Sequence, residues 1–160
     1  MIICAYIILD ISQIQIQRRI VMALKVPNEG ELELLDKMIR DHLSTDEKYI
    51  LKLYKVNHTP LDGDGTINYT EADFTAYVPV TLSRGTSWNA ATVNGTLAEI
   101  QFGTQQSWTS GTTGNTIFGY YVAGSTSAKL LWAEKFGTPR VLANQDVLNL
   151  TPKFTLESES

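Results

Sequence analysis

The chain has 160 residues, of which 43% are hydrophobic and 19% charged, and its formal net charge is −4. This length suits one domain with a proper core, and the acidic balance excludes a direct nucleic-acid partner that needs a basic surface. A single cysteine, Cys4, cannot form an intrachain disulfide, and two histidines are too few for a typical zinc cluster.

Residues 1–26 form the first segment, interpreted as an N-terminal arm or as a leader from a wrongly assigned start. The apolar run Ile2 to Leu9 is too short to span a bilayer and lacks the pattern of a signal peptide, so no membrane partner is expected. Ile14 to Gln17 alternates like a strand that pairs with another chain. Alternatively, Met22 is the natural start, and residues 1–21 are not native. Both interpretations remain open.

The pattern over about residues 28–43 predicts one amphipathic helix. Asn28 is placed as the cap, and Glu31 follows three residues later, as in a capping box. An apolar stripe with helical spacing then contains Leu32, Leu35, Ile39 and Leu43.

The rest of the chain alternates short extended runs with turn residues, which predicts a mainly β fold. An antiparallel β-sandwich or jelly-roll-like domain over residues 27–160 fits this spacing. The predicted strands are Tyr49 to Val56, Phe74 to Leu82, Thr96 to Phe102, Gln105 to Thr109, Thr116 to Ala123, Lys129 to Phe136 and Val147 to Leu156.

Two of these strands carry further information. Thr116 to Ala123 has apolar residues in both registers, which favours the middle of a sheet, and it forms a hairpin with Lys129 to Phe136. Pro152 cannot donate to a strand ladder, so the last strand is expected at an edge or a bulge.

The segment from Asp62 to Glu71 reproduces much of a calcium-binding loop. Asp62, Asp64 and Glu71 occupy ligand positions of the template, but Pro60 stands at the first position and offers no side-chain oxygen. The flanking segments also look like strands rather than helices. An acidic connection between strands is the favoured interpretation, and no metal or cofactor is predicted.

Catalytic candidates are sparse. His42, His58 and Cys4 lie in no nucleophile motif, so a surface or capping role is favoured for the histidines. Glu99 and Glu134 could form the carboxylate pair of a glycosidase, or pair with Lys129, Lys135 or Arg140 across strands. No catalytic, cofactor-binding or metal-binding residue is predicted.

The tryptophans are candidates for a sugar-binding platform together with Tyr120 and Tyr121. Trp132 shares its register with Leu130 and Phe136 and is expected in the core. Trp88 and Trp108 lie among small polar residues, where an exposed ligand site remains possible. A core or interface role is favoured for both.

The order of segments resembles small structural proteins encoded among the head and tail genes of tailed bacteriophages. The resemblance covers Met22 to about Ser158 and is carried by Met-Ala-Leu-Lys-Val-Pro-Asn-Glu-Gly-Glu with the following Leu-Leu helix, Leu-Lys-Leu-Tyr-Lys-Val-Asn-His-Thr-Pro, Thr-Glu-Ala-Asp-Phe-Thr-Ala-Tyr, Gln-Ser-Trp-Thr, Gly-Asn-Thr-Ile-Phe-Gly-Tyr-Tyr-Val, Leu-Leu-Trp-Ala-Glu-Lys-Phe and Leu-Asn-Leu-Thr-Pro-Lys-Phe-Thr-Leu. It carries no catalytic or binding residues.

The resemblance implies a virion structural protein on the capsid surface, made in the host cytoplasm. A capsid decoration (cement) protein of this kind commonly forms a homotrimer and bridges subunits of the major capsid protein, and it is not an enzyme. The alternative is a structural or receptor-binding module of the tail or neck that binds carbohydrate through Trp88 or Trp108. A hydrolase using Glu99 and Glu134 is the third hypothesis.

Overall fold

The computed structural model describes residues 27–40 and 47–156, and within them the fold is mainly β with antiparallel sheets and one helix, as predicted. The predicted arm or leader at residues 1–26 lies outside the described residues. The strands are β1 (Tyr49–Tyr54), β2 (Val80–Leu82), β3 (Thr92–Asn94), β4 (Leu97–Gln101), β5 (Gln106–Thr109), β6 (Thr116–Gly124), β7 (Leu130–Val141), β8 (Val147–Leu150) and β9 (Lys153–Leu156).

The helix α1 spans Asn28–Leu35 and continues as a π-helical turn, Asp36–Arg40. Its buried stripe is Glu31, Leu35 and Ile39, one residue per turn. The predicted end at Leu43 lies outside the described residues.

The predicted cap of this helix is wrong. Asn28 is the first helical residue, and Pro27 precedes it in an extended conformation without a side-chain capping bond. Glu31 does not close a capping box, because its side chain turns inward. The residue is 1% exposed, and neither carboxylate oxygen has a hydrogen-bond partner among the described residues. A carboxylate buried in this way is costly, so Glu31 weakens the helix contact that its neighbours strengthen.

The strands form three antiparallel sheets, in the orders β2-β1-β6-β7, β3-β4-β9 and β5-β8. β6 lies between β1 and β7, which confirms the central position predicted from its two apolar registers. The predicted hairpin is β6 and β7, and β7 extends to Val141, beyond the predicted end at Phe136.

Two predicted strands differ from the structure. The predicted strand Val147 to Leu156 is two strands, because Pro152 interrupts it and β8 and β9 pair with different partners. Each lies at a sheet edge, as expected. The predicted strand Phe74 to Leu82 forms only at Val80–Leu82, since Ala76 has φ 73° and the Tyr77 N–H donates back to the Phe74 carbonyl at 2.9 Å.

The main core takes side chains from the helix and from all three sheets. Its members are mostly aliphatic and aromatic, and they include Leu35 and Ile39 of the helix, Leu51 and Leu53 of β1, Ile100 of β4, Trp108 of β5, Val122 of β6 and Leu148 of β8. Burial of these apolar side chains is the dominant stabilising term.

A second cluster covers the other face of β1 and β6. It contains Tyr54, Tyr69, Tyr121 and Ala123, all less than 6% exposed. Tyr69 comes from the loop between β1 and β2, which therefore acts as a lid on this face. We refer to Tyr54, Tyr69 and Tyr121 as the tyrosine cluster.

β7 is an edge strand with irregular pairing. The register shifts once between Val122 and Ala123 of β6 and again between Ile117 and Gly119, where the paired residues on β7 jump from Arg140 to Lys135. Bulges, charged residues and Pro139 make an edge a poor template for another strand. The free side of β7 is therefore protected against unspecific strand pairing.

Candidate functional site

A concavity lined by aromatic and polar side chains lies between β7 and β9. It has a volume of about 350 Å³ and is lined by Leu97, Tyr120, Trp132, Ala133, Glu134, Lys153, Phe154 and Thr155. We call it the aromatic cleft. Its walls come from β4, β6, β7 and β9, so no single sequence segment contains it.

Tyr120 and Glu134 face each other across the β6–β7 ladder. The Tyr120 hydroxyl lies 2.6 Å from Glu134 Oε2 and 3.2 Å from the Lys153 carbonyl oxygen, so it can donate to either acceptor. Tyr120 is 1% exposed, and its burial, followed by its bond to the Glu134 carboxylate, raises the pKa of the phenol well above its ordinary value of 10.0. Tyr120 therefore stays protonated and holds the carboxylate in place.

Trp132 and Phe154 form the aromatic wall. Their ring centroids are 5.1 Å apart with an interplanar angle of 57°. Behind them, Trp132 contacts Tyr49 and Trp88 edge to face. Trp132 is partly buried against the main core, in agreement with the register shared with Leu130 and Phe136. Its indole nitrogen is covered by neighbouring atoms and makes no hydrogen bond of good geometry among the described residues, although its proximity acts to lower the pKa of the Tyr120 phenol.

The predicted carboxylate pair is divided by the strand geometry. Glu134 lines the cleft, whereas Glu99 does not; Glu99 lies 3.6 Å from Lys153 Nζ and accepts from Asn94 at 3.2 Å. Among the described residues, neither glutamate pairs with Lys129, Lys135 or Arg140, as the sequence suggested. Lys135 instead donates to Thr59 at 3.0 Å.

Glu134 also borders a second concavity of about 380 Å³, which continues along β7 toward β8. Phe136, Arg140 and Asn149 are among its lining residues. The exposed Glu134 carboxylate therefore lies between the aromatic cleft and this second concavity.

In the acidic loop from Asp62 to Glu71, the carboxylates of Asp64 and Glu71 bind neighbouring protein groups. Asp64 Oδ2 accepts from the Leu61 N–H and the Tyr69 hydroxyl and lies 2.7 Å from His58 Nε2. Glu71 instead pairs with Lys52 at 2.9 Å. The two acids thus bind different side chains, and among the described residues no group of three or more potential ligands converges on one metal position.

In the part of the chain that the structure describes, His58 pairs with Asp64 of this loop and not with a serine, threonine or cysteine that it could activate. Its bond lowers the pKa of Asp64 below the ordinary 3.8, with the Leu61 and Tyr69 donors acting in the same direction. His42 and Cys4 lie outside the described residues.

Trp88 and Trp108 are core residues, which confirms the favoured interpretation. They are 1% and 4% exposed. Each indole N–H donates to a backbone carbonyl, of Ser83 at 3.1 Å and of Val78 at 2.9 Å. Neither ring offers a face to a ligand from solvent, so a sugar platform at these positions has no support in this geometry.

Sequence reasoning missed Lys153 and Phe154 as members of a site. The alternation around Pro152 placed Phe154 in the apolar register, but that pattern does not show which neighbour the ring contacts. Trp132 and Glu134 lie two residues apart on one strand and so share a face, but they were considered separately, as core and as catalytic acid; the β6–β7 register adds Tyr120 to them.

The cleft can bind a small polar ligand through aromatic contact and through one fixed carboxylate. In the described ranges no helix is long and apolar enough to cross a bilayer. Searches against models of protein families, curated proteins and solved structures found no match to this chain.

Proposed function

We propose that the chain is a virion structural protein of a tailed bacteriophage that acts as a capsid decoration (cement) protein. The observation that supports this best is a set of large apolar side chains at one surface of the molecule. Val141 at the end of β7 is 73% exposed, and Val147 at the start of β8 is 53% exposed. Exposed apolar groups of this kind are typical of contacts with other proteins.

Val141 and Val147 line the same concavity of about 610 Å³, together with Pro139 and Leu142. Arg140 and Asp146 add one charge of each sign to the same surface. We call this the valine surface. An apolar centre with charged residues around it resembles a protein interface.

We propose further that the domain predicted over residues 27–160 is one rigid β-sandwich. The shared core of the three sheets supports this arrangement, because residues of β1 and β6 pack together with residues of β4, β5 and β8. A rigid body with fixed outer surfaces is suited to bridging subunits of a lattice.

The proposed partners are further copies of the chain, as a homotrimer, and the major capsid protein. Decoration opposes the outward pressure of packaged DNA by burying additional area between shell subunits, and an obligate interface buries more than about 2,000 Å². The proposed function requires no covalent chemistry and places the protein on the capsid surface.

The test uses the full chain and purified expanded capsids. We expect a trimer by light scattering and saturable co-sedimentation with capsids, in amounts comparable to the major capsid protein. A double variant with Val141→Asp and Val147→Asp is expected to lose capsid binding, because charged groups would then be buried in the contact.

Val93→Asp is the matched control, since Val93 is 46% exposed on β3, away from the valine surface. It should bind like the original chain. A folded monomer that ignores capsids would overturn the proposal, and a copy number per virion far below that of the major capsid protein would move the chain to the neck or tail.

A further inference from the structure

We propose that the aromatic cleft binds a pyranose sugar, as a free saccharide or as a unit of a polysaccharide. This site does not depend on the decoration function. It differs from the platform considered at Trp88 and Trp108, because it uses Trp132 and Glu134.

The first argument is the carboxylate. Tyr120 binds Glu134 through Oε2, and Oε1 has no hydrogen bond among the contacts of the described residues. Glu134 is an exposed residue, whereas Tyr120 beneath it is buried. A carboxylate fixed from below and open from above is prepared to accept hydrogen bonds from ligand hydroxyls at little entropic cost.

The second argument is the aromatic wall. Trp132 and Phe154 line the cleft beside this carboxylate. The C–H face of a pyranose is apolar and packs against such rings, and its hydroxyls point sideways toward polar groups. The cleft volume of about 350 Å³ is sufficient for a ligand of that size.

The third argument concerns the choice between two ligands. A quaternary ammonium ion also favours aromatic rings beside a carboxylate, but it fits the polar groups of the cleft less well than a sugar does. Among the described residues the Trp132 indole N–H makes no hydrogen bond of good geometry, and Glu134 in the same cleft is an acceptor with spare capacity. A hydroxyl can satisfy both groups because it donates and accepts, whereas a quaternary ammonium can do neither.

The nitrogen of Trp132 is covered in this conformation, so its engagement requires a rotation of the indole ring. Ligand binding should therefore change tryptophan fluorescence. Trp88 and Trp108 are held by backbone hydrogen bonds, so the change comes from the Trp132 ring and from its contact with Trp88.

The experiment titrates the full chain with glucose, galactose, mannose, N-acetylglucosamine and choline chloride, using fluorescence and saturation-transfer NMR. A glycan array tests immobilised polysaccharides in parallel. We expect saturable binding of at least one saccharide; binding in the array alone would assign the site to polysaccharide, and binding in both formats to the saccharide unit itself.

Glu134→Gln should weaken this binding about tenfold or more, because a charged acceptor is replaced by a neutral one that can still accept from Tyr120. Trp132→Phe keeps an aromatic ring but removes the N–H, and saturation-transfer NMR should show weaker saccharide binding by this variant. Glu33→Gln is the matched control, since the Glu33 side chain is 70% exposed on the helix, and it should change nothing.

Thermal unfolding of each variant shows that it is folded. The absence of binding to every saccharide in both formats would overturn the proposal. So would binding of choline alone, or undiminished saccharide binding by folded Glu134→Gln.

Discussion

The sheet β2-β1-β6-β7 is covered on both faces at its central strands β1 and β6, but by different means. On the face toward the main core, β1 and β6 contribute Leu51, Leu53 and Val122, which pack against aliphatic and aromatic groups of the other sheets. On the opposite face, they contribute Tyr54 and Tyr121, which are covered by Tyr69 of the lid loop.

The tyrosine cluster depends on polar bonds as well as ring contact. Tyr69 lies 5.1 Å from Tyr54 and 5.2 Å from Tyr121 between ring centroids. Burial raises the pKa of both Tyr54 and Tyr121 to about 12, with Glu134 and Glu71 respectively adding to the effect. The phenols therefore remain neutral hydrogen-bond donors over the physiological pH range.

The comparison shows that a loop, like a sheet or a helix, can bury one face of a sheet. Aliphatic packing is non-directional, so it tolerates many partners of the right volume. A buried tyrosine also needs a partner for its hydroxyl, so the lid loop must adopt one conformation to supply it. We therefore expect substitutions on the core face to lower global stability most, and substitutions on the lid face to act through particular bonds.

The largest effect is expected for Leu51→Ala on the core face. Leu51 is 0% exposed, and removal of its side chain should lower the free energy of unfolding by about 2–5 kcal/mol, through lost burial and the resulting cavity. Chemical denaturation followed by circular dichroism measures this. A loss no larger than that of an exposed substitution would contradict the assignment of this face to the core.

Asp64→Asn in the lid loop should lower stability less than Leu51→Ala does. The pKa of Asp64 is lowered in the folded state, so its charge stabilises the fold above the ordinary pKa of 3.8, and this contribution is lost as the pH falls through the folded-state pKa. The difference in melting temperature between the original chain and the variant should therefore shrink on acidification. A difference that is constant with pH would show that the carboxylate charge is not involved.

Tyr69→Phe removes only the hydroxyl that donates to Asp64 at 2.8 Å. The ring contacts remain, so we expect a loss of about 0.5–1.5 kcal/mol in unfolding free energy. Combined with Asp64→Asn, the second substitution should cost less than it does alone, because Asp64→Asn already weakens the bond that Tyr69→Phe removes. Strict additivity in this double-mutant cycle would contradict the proposed coupling.

The smallest effect is expected for Ile67→Thr, in the same loop. Ile67 is 94% exposed, so its side chain gains little from burial and the unfolding free energy should change by no more than about 0.5 kcal/mol. Thermal unfolding beside Tyr69→Phe provides the comparison. A large loss would mean that Ile67 is covered in solution, for instance by another copy of the chain.

Much of the fold could be predicted from local pattern, and the failures have physical causes. The apolar residues in both registers of β6 indicated a central strand, and Pro152 indicated a sheet edge, because both features depend on backbone chemistry within a few residues. The inward turn of Glu31 was not predictable, since the capping pattern is the same whether that side chain reaches back to the backbone or is buried.

The candidate site could be predicted only in part. Trp132 and Glu134 were recognisable as an aromatic and an acid on one predicted strand, but Tyr120, Lys153 and Phe154 joined them through pairing between strands distant in sequence. Trp88 and Trp108 lie among polar residues in the sequence and are nevertheless buried, because burial depends on what packs above a residue.

By itself, the sequence determined the helix, most strands and the two-sided burial of β6, since these follow from side-chain period and backbone preference. The tertiary structure alone decided which strands pair beyond the β6–β7 hairpin, how the lid loop covers the tyrosine cluster and which side chains line the aromatic cleft. The reason is that a period of two assigns each residue of a strand to a face, whereas the neighbour opposite that face is chosen by contacts between distant segments.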